Sequence, residues 1–263
     1  MYRVRFSFPN FTDSLYRETY VDRPSDRQSR LRIRISRNSK LEEKQNSDGS
    51  HILKKTLYLI RNSDIGLNFR FKYVGRLDPA LSPQGIEDAK SLGNYCKDTF
   101  YSSNEQIYLS PSKRSVQTWK EMGLDSFSEP ICVPALQEID FGNWEGKSFS
   151  ELEQTHPEEL LRWAAAPSLF SFPSGESFQA FVDRIDFIAS FLKESSASKI
   201  VLVTHGGVIS TLICLLIGIH PSSYIHFQVK SSSVSSVEIF SNGSALLTSL
   251  NQYSAKRRCE WPI

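Results

Sequence analysis

Three short apolar runs in this 263-residue chain end in side chains able to bind an anion: Leu57 to Ile60 runs into Arg61 and Asn62, Ile107 to Leu109 into Ser110 and then Arg114, and Ile200 to Val203 into Thr204, His205 and Gly206. Two guanidiniums and an imidazole at one place make an anion site, because Arg pairs bidentately with phosphate oxygens. A single arginine at a strand end is ordinarily a solvated surface group. Three such ends in one chain favour a shared site, and in open α/β sheets that site lies beyond the carboxyl ends of the strands. The segment Ser112 to Met122, read as a helix, adds an N-terminus whose unpaired N–H groups and dipole also attract an anion.

For these groups to meet, the intervening chain must supply a sheet and the helices that cover it. From Lys54 onward, short β-rich apolar runs alternate with helix-period segments, which predicts an α/β fold: a three-layer αβα sandwich with a mostly parallel central sheet. The expected strands are 56–61, 107–110, 131–134, 200–204, and then 234–240 and 245–250 around the Asn242-Gly243 turn. The expected helices run from Pro83, placed at the first helical position, to about Lys97, then over 112–122, 148–156, 158–165 and 175–195. In the last of these, Phe178, Phe181, Val182, Ile185, Ile188, Ala189 and Leu192 share one face. The apolar run Val208 to Ile219 falls short of the about 20 residues that span a bilayer and predicts a buried helix.

The net charge of +2 makes no case for nucleic acid, and the excess is local: residues 1 to 50 carry eleven Lys/Arg against seven Asp/Glu. We therefore expect a basic, disordered extension over 1–51, one domain over 52–253 and a short tail over 254–263. A targeting peptide is the alternative for the extension, opposed by Asp13, Glu18, Asp22 and Asp26; a misassigned start codon is a third reading. Cys96, Cys132, Cys214 and Cys259 lie far apart, with no histidine at ligand spacing, which predicts free thiols in a reducing cytoplasm and no metal. His51, His156, His220 and His226 stand at no catalytic spacing and read as surface or capping residues. The expected partner is a small phosphorylated metabolite, with no cofactor, nucleic acid or membrane involved, and the oligomeric state is open.

Five separated segments, in order, resemble the histidine phosphatase superfamily, which includes the phosphoglycerate mutases. Arg61-Asn62-Ser63-Asp64 with Asn68 is similar to the family's Arg-His-Gly-Glu...Asn stretch, and Gly75-Arg76-Leu77-Asp78-Pro79-Ala80-Leu81-Ser82-Pro83-Gln84-Gly85 to its Gly-Arg-x-Asp-x-x-Leu-Ser/Thr-x-x-Gly stretch. Ser110 to Thr118 resembles the phosphate-binding helix, Leu136 to Gly146 the acid-bearing loop, and Thr204-His205-Gly206-Gly207 the second catalytic histidine; Pro173 to Ser177 is a weaker match. The Gly75 to Asp78 and Phe141 to Gly146 segments look more like the small-molecule phosphatase branch, α-ribazole phosphatases included, than like glycolytic mutases.

This resemblance implies a phosphoglycerate mutase-like fold. It also implies a pocket in which Arg61 and Arg114 clamp the phosphate, Asn68 and Gly206 add donors, His205 is the second imidazole and Glu138 the acid/base. Asp140 and Glu145 flank Glu138 as rivals for that role, and Trp144, Trp163 and Phe170 read as packing a lid. The departure is Asn62, which stands where the family has the histidine that becomes phosphorylated; Ser63 and Asp64 depart beside it. A carboxamide lone pair is delocalised into its carbonyl, so Asn62 cannot form a stable phosphoenzyme, although its N–H still hydrogen-bonds a phosphate. Three readings follow: an engineered trap, a natural non-catalytic phosphate binder, or a slow phosphatase that uses water activated by Glu138 or His205.

Overall fold

The runs 57–60, 107–109 and 200–203 are apolar on both faces, as strands covered by helices on both sides must be. β1 (Lys54–Arg61), β2 (Glu105–Leu109), β3 (Ile131–Cys132), β4 (Lys199–Thr204), β5 (Ser233–Phe240) and β6 (Ala245–Ser254) form one sheet in the order β3-β2-β4-β1-β5-β6. The strands from β3 to β1 pair in parallel, whereas β5 and β6 are antiparallel. These coordinates are a computed structural model that describes residues 54–100, 105–124 and 129–254. The basic extension expected over 1–51, and the tail beyond residue 254, lie outside the described residues.

Side-chain alternation along β1 assigns the two faces. Leu57 and Leu59 join the larger core with α5 (Phe178–Glu194) and α6 (Gly206–Ile217), while Ile60 joins the smaller core with α1 (Pro83–Phe100) and α2 (Lys113–Met122). All seven residues expected on one face of α5 are buried, and each large apolar side chain removed from water in this way contributes about 1.5–3 kcal/mol. The short helices α3 (Phe149–Thr155) and α4 (Pro157–Ala165) lie between β3 and α5 in the chain. This is the expected αβα sandwich, with the antiparallel pair at one edge.

Boundaries moved where local chemistry overrode periodicity. α5 starts at Phe178 rather than near Gly175 because Ser177 caps it, its Oγ accepting from Ala180 N at 3.1 Å. β3 stops at Cys132, two residues before Pro134, which has no N–H to give a ladder. Gly93 sits inside α1 despite the roughly 1 kcal/mol that glycine costs a helix, because a Cβ there would lie 1.9 Å from the Met122 carbonyl oxygen of α2.

Trp144 is wholly buried, with Tyr73, Phe170, Phe172 and Trp163 at ring-centroid distances of 5.4, 5.3, 5.3 and 6.2 Å. The aromatic residues expected to pack a lid are thus part of the main core or packed against it. What the sheet does for function is set by register: Arg61 pairs with Thr204, and Leu109 with Val203. The ends of β1, β4 and β2 therefore stand side by side at one edge.

Candidate functional site

A cavity of about 830 Å³ opens at that edge, and Arg61, Asn62, Arg114, Glu138, His205 and Gly206 all line it. Asn68 does not: it is exposed on the 3-10 turn Leu67–Phe69, whose two flanking residues face the cavity instead. Its expected donor role has no support in this placement.

Asn62 directly follows β1, its backbone N–H donating to the Thr204 carbonyl at 2.8 Å. It is buried, and its side-chain Nδ2 donates to the Ser63 carbonyl at 3.0 Å, which turns Oδ1 towards His205 Nδ1 at 3.0 Å. The neighbouring Ser63, also departing from the family pattern, is held by Thr118 Oγ1 on its backbone N–H and by the Ser232 hydroxyl on its own. Asp64 accepts from the Ser82 hydroxyl at 2.7 Å and from Gly66 N at 3.1 Å. Both residues serve the loop's shape.

His205 is almost fully buried at the N-cap of α6. Burial, and then the positive charges of Arg114, Arg61, Arg184 and Arg76, hold its imidazole well below the usual histidine range. The ring is therefore neutral and carries one N–H. If Nδ1 bears it, the Asn62 carbonyl is satisfied and Nε2 accepts from the Ser110 hydroxyl at 2.8 Å, but Arg114 Nε–H, 3.3 Å from Nδ1, meets no lone pair. The other tautomer satisfies Arg114 and leaves two lone pairs opposed at Asn62. No neutral tautomer serves both partners.

The two arginines differ in what they offer. Arg114 donates to the carbonyls of Leu77 and Gly75 at 2.8 Å each, so its guanidinium is pinned and presents a fixed charge. Arg61 donates through Nη1 to the Val229 carbonyl, while its buried Nε has no hydrogen-bond partner among the described residues. A buried unpaired donor costs about 1–3 kcal/mol, which an anionic oxygen would relieve. Burial lowers the pKa of both arginines, with the Glu138 carboxylate opposing it.

Glu138 reaches the site from the loop after β3, where its Oε2 accepts from Gly207 N at 3.0 Å. That places a carboxylate on the positive end of α6. A Cβ at 207 would stand 2.5 Å from Glu138 Oε1, so a larger residue there displaces the carboxylate. The two rival acids have other work. Glu145 accepts from the backbone N–H groups of Gly75, Arg76, Leu77 and Phe141, and Asp140 from Gly142 N at 2.9 Å. Neither lines the cavity.

Arg184 of α5 is the residue that sequence reading missed. Its guanidinium pairs with both oxygens of Glu176 at 2.7 and 2.9 Å and donates to the carbonyls of Ala135, Gln137 and Glu138. It thereby holds the backbone that carries Glu138. Its only signal in the sequence was a charged position beside the apolar face of α5. His156 and His220 bond locally to Thr155 and Ser222, as expected of bystanders; His51 lies outside the described residues. No group of three or more His, Cys, Asp or Glu able to hold a metal occurs among the described residues, nor any helix long and apolar enough to cross a membrane.

Residues 57–252 match the model of the histidine phosphatase superfamily, branch 1. The chain is 29% identical over 184 residues to the adenosylcobalamin/alpha-ribazole phosphatase of Escherichia coli K12, covering 70% of this chain and 89% of the relative. It is likewise 29% identical over 184 residues to phosphoserine phosphatase 1 of Hydrogenobacter thermophilus, covering 70% and 86%. Among solved structures, the alpha-ribazole phosphatase of Shigella flexneri is similar with a TM-score of 0.67 at 30% identity, over 77% of this chain and 99% of that one.

Proposed function

The chain belongs to the histidine phosphatase superfamily, and we propose that it binds a small phosphomonoester at the carboxyl edge of its sheet and hydrolyses it slowly if at all. Residues 52–253 are the unit to which we assign this activity. The carrying observation is the convergence of Arg61, Arg114, His205 and Glu138 around Asn62 in one cavity. Relatives named as phosphoserine and α-ribazole phosphatases support a small-molecule ligand.

In this reading the free Nε–H of Arg61 and the fixed charge of Arg114 hold the phosphoryl oxygens, with His205 as a neutral hydrogen-bonding partner. Charge stabilisation and positioning supply most of phosphoryl-transfer catalysis, so this frame still favours in-line attack by water. The oxygen–phosphorus bond to water forms as the ester bond breaks; Glu138 takes the water's proton and returns one to the leaving oxygen. His205 is a poor base here, because protonating it adds a charge among four arginines.

A second reading, a phospho-ligand-binding pseudoenzyme with a regulatory or interaction role, is favoured by the occupancy of the Asn62 carboxamide. Both its ends are bonded to protein, and it offers no nucleophile. Phosphate release from a panel of phosphorylated metabolites, run beside thermal shift with phosphate and vanadate, separates the two. Stabilisation with turnover indicates the slow enzyme and stabilisation without turnover the binder; the absence of both refutes a phosphate site.

A further inference from the structure

The cavity is much larger than a phosphate needs and falls within the about 300–1,000 Å³ typical of small-molecule sites. Besides the anion-binding groups, it is lined by Phe69, Phe71 and Tyr73 from one segment and by Tyr224, Ile225 and Phe227 from another, with Arg70, Lys72 and Gln228 beside them. Phe71 and Ile225 are 74% and 55% exposed.

Phe71 carries the argument further. Its φ is +62°, a left-handed conformation rare for a bulky residue and strained for any side chain with a Cβ. The ring stays largely in solvent, with the Arg70 guanidinium 4.9 Å from its centroid. Elsewhere the loop is tightly held: Tyr73 N–H donates to the Lys147 carbonyl at 2.9 Å, and Lys72 bridges to Ser148. A firmly anchored loop thus holds a largely exposed phenyl ring in the lining of the cavity. In the second segment Tyr224 packs on Phe178, with ring centroids 5.2 Å apart.

Resting on the phosphomonoester reading above, we propose that the ligand's organic body is aromatic, and that Phe71 and the Tyr224–Phe227 segment clamp it while Arg61 and Arg114 hold the phosphate. Aromatic rings gain from such pairing beyond the area they bury. Small aliphatic phosphomonoesters leave this wall in contact with water.

The test is calorimetric affinity for phenyl phosphate and a nucleoside monophosphate against glycerol phosphate and phosphoserine, with inorganic phosphate as reference. The aromatic esters should bind about tenfold more tightly or better, equivalent to about 1.4 kcal/mol. Phe71→Gly removes the ring and is at ease at positive φ, so its melting temperature should equal or exceed that of the parent, while the aromatic preference falls and phosphate affinity holds. If phosphate binds but aromatic and aliphatic esters bind alike, or if Phe71→Gly keeps the full preference, the aromatic clamp is wrong and the phosphate site stands. If no phosphate compound binds, both proposals fall.

Discussion

Asn62→His should convert this protein into a phosphatase that forms a covalent intermediate. An asparagine and a histidine share their atoms out to Cγ, so the new ring's Nδ1 takes the place of the carboxamide Nδ2, now 3.0 Å from the Ser63 carbonyl. That bond fixes the proton on Nδ1 and turns Nε2, with its lone pair, towards the cavity. The Asn62 carbonyl no longer competes for His205 Nδ1, which becomes free to accept from Arg114 Nε–H. Losing the Asn62–His205 hydrogen bond costs about 1 kcal/mol of stability. Removing catalytic residues from well-studied hydrolases costs about 10⁴ to 10⁶ in rate, and a misplacement of about 1 Å in the Ser63-Asp64 loop forfeits about 10². A rise in kcat of about 10² to 10⁴ is the expected net. Phosphate release from an aryl phosphate measures it, and an acid-labile phosphohistidine at position 62 identifies its cause. Robust turnover by the parent that survives Asn62→Ala would show that the chemistry never depended on this position.

Arg61→Ala and Arg114→Ala should each abolish stabilisation by vanadate, but Arg114→Ala should also lower the unfolding free energy by about 1–3 kcal/mol, because it strands the buried Gly75 carbonyl; calorimetry and denaturant melts separate the two effects. Gly207→Ala should leave stability within about 1 kcal/mol, since the clash falls on the flexible end of Glu138 and alanine suits a helix, yet in the Asn62→His background it should cut turnover without weakening vanadate binding. His205 titrates lower folded than unfolded, so the unfolded chain binds the proton first: stability should be complete above pH about 6.5 and fall by up to about 1.4 kcal/mol per pH unit below it. Denaturant melts across pH 5 to 8, compared with His205→Gln, check that sign, and a slope that persists in the variant assigns it elsewhere.

Apolar patterning and turn chemistry determined which strands and helices exist and how they layer, though not their ends, because burying a stripe or a face of each element admits few arrangements. They also determined that Arg61, Ser110 and His205 stand at strand ends, and parallel register then puts those ends on one edge. Asn62 as the departure from the family pattern was likewise visible in the residues. Contacts between segments far apart in the chain were not. Glu138 meets Gly207 across 69 positions, Arg184 holds the Ala135 to Glu138 backbone from 46 to 49 positions away, and Ser63 meets Ser232 across 169. Such pairs leave no periodic trace, because each depends on where two loops come to lie rather than on local preference. The same holds for the contest over His205 Nδ1 and for the pinning of Arg114, which distinguishes it from Arg61. Which side chains have a free donor for a ligand is settled only when tertiary packing has assigned every other acceptor.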